Sequence, residues 1–424
     1  MTIQELHRIF LEFPTVSTDT RKIADNCLFF ALRGDNFNGN EYAKEALNKG
    51  ARYAIVDDST YHTPGETILV TDTLKTLQEL AHFHRKTCSA KIIALTGSNG
   101  KTTTKELINE VLSVQYNTVA TKGNLNNHIG VPLTLLCIKP DTEFAIIEMG
   151  ANHLLEIEFL CSLAEPDFGY ITNFGKAHIE GFGSEEGVII GKSELYQFLI
   201  EHNKTIFFNG DDAIQREKLK PYSNISGFSQ DIPELYRITN LGANPFVAME
   251  SYGTKIQSSL IGNYNFTNCC AAILIGNYFK IPIEKIKNAI ENYQPRNNRS
   301  QIIQNKDNQI ILDAYNANPS SMKAALENFN TMDGENKIAF IGDMFELGAS
   351  AAQEHQEIAD LAAASKFNTV YLIGENFFKT EGLLQKFRTF EDLAAHLKNN
   401  TPKGSTILIK GSRGMALERI LEII

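Results

Sequence analysis

Residues 94–104 read Ala-Leu-Thr-Gly-Ser-Asn-Gly-Lys-Thr-Thr-Thr, and their types and spacing suit one task, holding the phosphates of a nucleoside triphosphate. Gly97 and Gly100 let the backbone around Ser98 and Asn99 turn its N–H groups inward on an anion. A following helix adds the partial positive charge of its N-terminus. Lys101 is placed to reach the β- and γ-phosphates, and the Thr102 hydroxyl, with Thr103 behind it, to hold Mg²⁺. A glycine turn can carry Lys-Thr by chance, so the flanks matter. Leu95 occupies the place where the usual phosphate loop has its first glycine, leaving the shorter pattern Thr-Gly-x-x-Gly-Lys-Thr-Thr.

The elements that must position this loop are legible. Ile92-Ile93-Ala94-Leu95 reads as a short buried strand, and Leu107, Ile108, Val111 and Leu112 give the segment Lys105 to Val114 helical spacing. A second strand, Phe144 to Ile147, delivers Glu148 to its carboxyl end, the edge where ligands gather in open α/β sheets. A carboxylate there suits a Mg²⁺ ligand, although it would also suit a helix start. A third strand, Gly169 to Asn173, leads through Phe174-Gly175-Lys176-Ala177 to His178, whose strand end is expected beside that of Glu148. A lone histidine is more often structural. Lys192 lies early in a helix running to Leu199 and, from the residues alone, reads as a surface lysine with no particular partner. Asn265 and Asn268, three apart where Gly262-Asn263-Tyr264 opens a helix, can read the donor and acceptor edges of a base; capping explains one of them, less easily both.

Around this centre the chain divides into three α/β units, expected at 1–86, 87–299 and 300–424. The first has strand-like runs at Cys27 to Leu32, Tyr53 to Val56 and Thr67 to Val70, a helix from Tyr42 to Lys49, and polar clusters at Ser17-Thr18-Asp19-Thr20-Arg21 and Arg33 to Asn40. The second adds the asparagine-rich turn Gly123-Asn124-Leu125-Asn126-Asn127, a strand from Thr205 to Asn209 and a β-rich stretch from Leu235 to Leu260. The third alternates strands (Gln309 to Leu312, Lys337 to Ile341, Thr369 to Ile373, Thr406 to Ile409) with helices, predicting a second, Rossmann-like doubly wound sheet. Its loops 313–319, 342–348 and 410–414 all follow strands and so share one sheet edge.

Composition narrows the partners. With 424 residues and 43% hydrophobic content there is material for a core in each unit. A net charge of −10 without basic runs argues against nucleic acid or an anionic membrane. The six cysteines show no Cys-x-x-Cys spacing and read as reduced thiols rather than a zinc site. No signal peptide or long apolar stretch is visible, so a cytoplasmic protein without membrane insertion is expected.

Across nearly its whole length the order of motifs resembles the Mur ligase family. The short phosphate loop, Gly-Asn-x-Asn-Asn with Gly130-Val131-Pro132, Glu148, His178, Lys192 and Asn265/Asn268 are similar to motifs of the whole superfamily, with Tyr264 where a histidine is usual. Ser17-x-Asp19-Thr20-Arg21 and Phe29-x-Ala31-Leu32-x-Gly34 look like the UDP-sugar domain of two members, with Asn38-Gly39-Asn40 in place of Asp-Gly-His. Asp313-x-Tyr315-Asn316-Ala317-Asn318-Pro319, Gly342-Asp343-Met344-x-Glu346-Leu347-Gly348 and Lys410-Gly411-Ser412-Arg413 resemble the member that joins D-Ala-D-Ala to UDP-MurNAc-tripeptide.

The resemblance implies ATP, two Mg²⁺ ions and an acyl-phosphate intermediate, with ADP and phosphate released. It implies metal ligation by Thr102, Glu148, His178 and a CO₂-carbamylated Lys192, ATP contacts from residues 97–103, Asn265, Asn268, Arg299 and Asp313, and a role for Lys101 in phosphoryl transfer. Ser17, Asp19, Thr20, Arg21, Asn124, Asn126 and Asn127 would face the UDP substrate; Asn316, Asn318, Ser412 and Arg413 are candidates for D-Ala-D-Ala. A monomer is expected. Two alternatives are another ATP-dependent amide ligase and a GTPase-type switch. The switch would need Asn-Lys-x-Asp after a strand, and Asn305-Lys306-Asp307 has the wrong spacing.

Overall fold

The computed structural model describes residues 1–295 and 298–424; Arg296, which with Arg299 closes the central unit in the sequence, lies outside the described residues. The centre of the molecule is a seven-stranded parallel sheet. The strand Lys91–Thr96 is apolar and buried along nearly its whole length, the pattern of a strand covered on both faces. Phase of the chain then decides the site: Phe144–Glu148 pairs with one side of Lys91–Thr96, and Phe168–Ile171 pairs with the other. The strand order therefore reverses at Lys91–Thr96, and the crevice at the carboxyl ends opens there. The strands Thr205–Asn209, Ile225–Ser229 and Tyr236–Arg237 extend the sheet beyond Phe168–Ile171, and Thr118–Ala120 closes the other edge.

The N-terminal unit is a four-stranded parallel sheet, Val16–Ser17, Leu28–Phe30, Tyr53–Val56 and Thr67–Leu69. Its loop 38–40 is knitted by Asn40, buried, whose amide bonds Asn38 Oδ1 at 2.9 Å and Asp57 Oδ1 at 2.8 Å. The helix Thr73–Thr87 leads out, capped by Asp72. Its Leu77, Leu80 and Ala81 share one core with Leu28, Phe30 and Ile55 before it and with Ile92, Ala94 and Val131 after it. The β-rich stretch supplies a three-stranded antiparallel sheet, Thr239–Ala243, Phe246–Ser251 and Thr254–Ile261.

The C-terminal unit is a six-stranded sheet, parallel except for its first strand. That strand, Gln301–Asn305, and the edge strand Gln385–Phe387 add to the four expected from sequence. Asn305-Lys306-Asp307 is the hairpin turn between Gln301–Asn305 and Asn308–Asp313, with Lys306 at φ 52°. Two helix boundaries also differ from expectation. The loop helix is Lys101–Ser113, beginning directly on Gly100 at φ 79°. The helix carrying Lys192 is Glu185–Glu201, capped by Ser184, so Lys192 is mid-helix rather than early.

Candidate active site

A cleft of about 1090 Å³ opens along the carboxyl edge of the central sheet and is walled by the C-terminal unit. The phosphate loop forms its floor. Gly97 (φ 140°) leaves no room for a side chain: a Cβ would lie 2.0 Å from Thr172 Oγ1. One at Gly100 would lie 2.5 Å from Asn268 Oδ1. Both glycines are thus required by close approach as well as by positive φ. Lys101 curls over the loop, its Nζ donating to Gly97 O at 2.7 Å and Ser98 O at 3.2 Å. Burial pushes its pKa down, Glu148 opposes that, and Arg299 adds to it.

Glu148 is the best-defined group of the site. Its Oε1 accepts from Thr102 Oγ1 at 3.2 Å and from Asn126 Nδ2 at 2.8 Å. Among the described residues its Oε2 is buried with no hydrogen-bond partner. An unpartnered buried carboxylate oxygen next to a loop threonine fits a cation. No three His, Cys, Asp or Glu side chains converge into a cage among the described residues. That suits Mg²⁺ carried with a nucleotide, which takes one or two carboxylates and completes its shell with phosphate oxygens and water.

His178 lines the same cleft, but Lys91–Thr96 runs between its strand and that of Glu148, so the two strand ends are not adjacent. His178 sits in left-handed backbone (φ 55°), as does Glu346 (φ 61°), which reaches across from the C-terminal unit. Their Nδ1 and Oε2 lie 2.5 Å apart, an ion pair when the imidazole is protonated. The imidazole holds the Glu346 carboxyl below its ordinary value. Lys192 is no surface residue: it is fully buried, donates to Ala151 O at 3.0 Å and lies 4.9 Å from the Phe182 ring centre. The helix reading missed this because its buried face is wider than an amphipathic stripe. Burial, reinforced by Lys101, pushes the amine well below its ordinary pKa.

Asn265 and Asn268 line the cleft, yet their amides are engaged locally. Asn268 Nδ2 donates to Asn265 Oδ1 at 2.8 Å, Thr104 Oγ1 donates to Asn268 Oδ1 at 3.0 Å, and Asn265 Nδ2 donates to Ile261 O at 2.8 Å. They lock the loop helix to the helix Phe266–Tyr278. Tyr264, standing for the usual histidine, meets Ser300 Oγ at 2.9 Å. Arg299 stacks over Tyr315, 3.5 Å from the ring centre.

Across the cleft, Asp313 pairs with the buried Lys410 at 2.6 Å and accepts from Ser300 N at 3.1 Å. Asn316 and Asn318 face the cleft, and Asn318 Nδ2 donates to Asn99 Oδ1 at 2.7 Å, joining the two walls. Ser412 and Arg413 do not line it. Ser412 Oγ ties the C-terminal loops together, bonding Ala317 O and Phe345 N, and Arg413 pairs with Glu418 at 2.8 Å. Asn124, Asn126 and Asn127 do line the cleft. Ser17, Asp19, Thr20 and Arg21 lie apart from the cleft in the N-terminal unit, where Arg21 brackets Asp19 through two bonds of 2.9 and 2.8 Å and pulls its pKa down to about 2.

Sequence reasoning assigned no role to Lys105, Glu346, Tyr315 or Lys410. Lys105 had a signal, since it follows Lys101 by four residues and so shares its helix face. For Glu346 and Lys410 the partners are set by packing between distant segments.

Known proteins match the chain end to end. The Mur ligase family, catalytic domain, matches residues 12–85, the Mur ligase middle domain residues 95–276, and the Mur ligase, glutamate ligase domain, residues 298–413. The UDP-N-acetylmuramoyl-tripeptide–D-alanyl-D-alanine ligase of Bacillus subtilis is 35% identical over 423 residues, covering 96% of this chain and 92% of its own. A crystal structure of MurF from Acinetobacter baumannii superposes with a TM-score of 0.86 at 28% identity, over 99% of this chain and 98% of that one. MurF ligase from Thermotoga maritima, solved in complex with ADP, gives a TM-score of 0.83 at 25% identity over 97% of both chains. Three family matches in order along the chain, and a relative 35% identical over 96% of it, show that this chain belongs to the Mur ligase family.

Proposed function

We propose that the protein is an ADP-forming amide ligase that joins D-Ala-D-Ala to UDP-MurNAc-tripeptide. The observation that carries this reading is the cleft itself. It puts the phosphate loop with Lys101 and the Thr102–Glu148 pair on one wall and the Asp313–Lys410 edge on the other. The full-length similarity to ligases bearing that substrate name supports the choice of substrates.

In this reading residues 1–86 take the UDP end of the substrate through the Ser17–Arg21 loop, residues 87–299 take ATP, and residues 300–424 bring the amine. The terminal carboxylate of the tripeptide attacks the γ-phosphorus of ATP; the bond to the bridging oxygen breaks and ADP leaves. The amine of D-Ala-D-Ala then attacks the acyl carbon, loses a proton, and expels phosphate. Lys101 and the loop N–H groups stabilise charge gathering on the transferring phosphoryl group. Thr102, Glu148 and His178 would hold Mg²⁺, which supplies further positive charge there. Lys192 fits a carbamate: burial lowers its pKa and so favours the neutral amine that CO₂ requires, and carbamate formation with loss of a proton turns a cation site into an anionic oxygen ligand.

The test is phosphate release from ATP and Mg²⁺. Release that requires both UDP-MurNAc-tripeptide and D-Ala-D-Ala, with a pentapeptide product, is expected. Release driven instead by single amino acids would reject the named substrates and leave the ligase class.

A further inference from the structure

The loop helix carries a second lysine that the reaction outlined above does not use. Lys105 is one of the largest fully buried side chains in the protein. Its Nζ directs a 2.7 Å hydrogen bond to Thr121 O, stands 3.8 Å from Glu148 Oε2, and stands 3.7 Å from Glu106 Oε1. The distance to Glu148 is too long for a hydrogen bond but short for two charges, each only 2% exposed. Thr121 sets both partners: its carbonyl takes the lysine, and its Oγ1 accepts from Glu148 N at 3.0 Å. Glu106 faces Lys105 from the same helix, its other oxygen taken by Tyr293 OH at 2.5 Å.

We infer that Lys105 is a positioning residue for Glu148: it attracts the buried carboxylate and fixes its orientation while leaving Oε2 open to a divalent cation. A lysine hydrogen-bonded to Oε2 would block that atom. An apolar residue at 105 would leave the carboxylate held through Oε1 alone, by Thr102 and Asn126. Here the ammonium supplies countercharge at one remove, with its hydrogen bond directed at a backbone carbonyl. Residues that orient a metal-binding group without touching the metal commonly change metal affinity by about 10–100-fold. This inference rests on the reading of Glu148 as a Mg²⁺ ligand, and the experiment separates the two.

The measurement is calorimetric binding of ADP with and without Mg²⁺ to the intact protein. Glu148→Gln is expected to abolish most of the Mg²⁺-dependent gain in affinity; if the gain is unchanged, the reading of Glu148 itself fails. Lys105→Met is expected to weaken binding in Mg²⁺ by about tenfold or more and Mg²⁺-free binding by less than about threefold. In the Glu148→Gln background, Lys105→Met should change neither, because its effect runs through Glu148. No Mg²⁺-specific loss in the single variant, or the same loss in both backgrounds, would overturn the inference and leave Glu148 as ligand. Should Lys105→Met fail to fold, Lys105→Gln, which keeps a donor toward Thr121 O but not the charge, decides. A Mg²⁺-specific loss of about tenfold is expected in it, and an unchanged Mg²⁺-dependent gain overturns the inference.

Discussion

The two junctions that join the three units are built from different materials. Between the N-terminal and central units the helix Thr73–Thr87 feeds Leu77, Leu80 and Ala81 into a core that both sheets share. Buried His84 reinforces it, bonding His7 on one side at 3.0 Å and Ile138 O on the other at 2.9 Å. Between the central and C-terminal units the cleft side is polar. Asn318 meets Asn99, Lys176 N meets Ser320 Oγ at 3.0 Å and Lys176 Nζ meets Glu354 at 3.0 Å, and His178 meets Glu346. Apolar packing at this second junction is found on the far side, where Ile261 and Phe246 join the C-terminal core. A shared apolar core makes a fixed frame. A polar mouth with an apolar tie behind it makes a hinge, because polar contacts exchange for water at little net cost. Under the proposed function the Ser17–Arg21 loop rides on the frame with the phosphate loop, and the C-terminal edge is the part expected to move in turnover.

The strongest way to break this comparison is to hollow out the frame. Leu80→Ala should destabilise by roughly 2–5 kcal/mol, the cost of a leucine-to-alanine cavity in a packed core. Thermal unfolding should lower the N-terminal and central units together; two separate transitions for them would show that they do not share a core. Next comes the swinging edge. Asp313→Ala should lower turnover by roughly 100-fold, about 2.7 kcal/mol in barrier, while UDP-substrate affinity, set on the frame, changes little. Equal losses in both would remove Asp313 from the reacting edge. Asp313→Asn separates lost charge from the exposure of Lys410 to an unpaired burial.

The smallest effects belong to the mouth. Glu346→Ala and Lys176→Met together should alter stability by less than about 1 kcal/mol, as partly exposed ion pairs do, and should lower the salt sensitivity of turnover, because the pairs that salt screens are gone. The pH dependence has a definite sign. His178 lowers the Glu346 carboxyl in the folded protein, so its contribution to docking is present above the ordinary carboxylate range and is lost as pH falls through that range and below. Small-angle scattering on acidification should show opening in the parent protein and no such step in Glu346→Gln.

Much of the chemistry was legible before any fold. Strand, glycine turn and helix around Lys101 are signalled within residues 92–114, and Glu148 at a strand end follows from an apolar run and its terminus. The three C-terminal loops could be placed on one edge for the same local reason. Other residues were misread because their roles depend on what packs against them. Lys192 read as exposed and is fully buried: its charge was weighed above the apolar face that Val188, Leu195 and Leu199 mark around it on the 17-residue helix. Ser412 read as a substrate contact and instead staples loops.

The sequence by itself determined the phosphate loop and the elements that carry it, because phosphate loops, strand ends and helix starts are made from residues within a turn or two of one another. The tertiary structure alone decided which charges meet. Asn99 and Asn318 are 219 residues apart, and Glu148 finds Lys105 and Thr102 across 43 and 46 positions of chain respectively by way of adjacent parallel strands. Pairings of that kind are fixed by sheet order and shared cores, which no local spacing encodes.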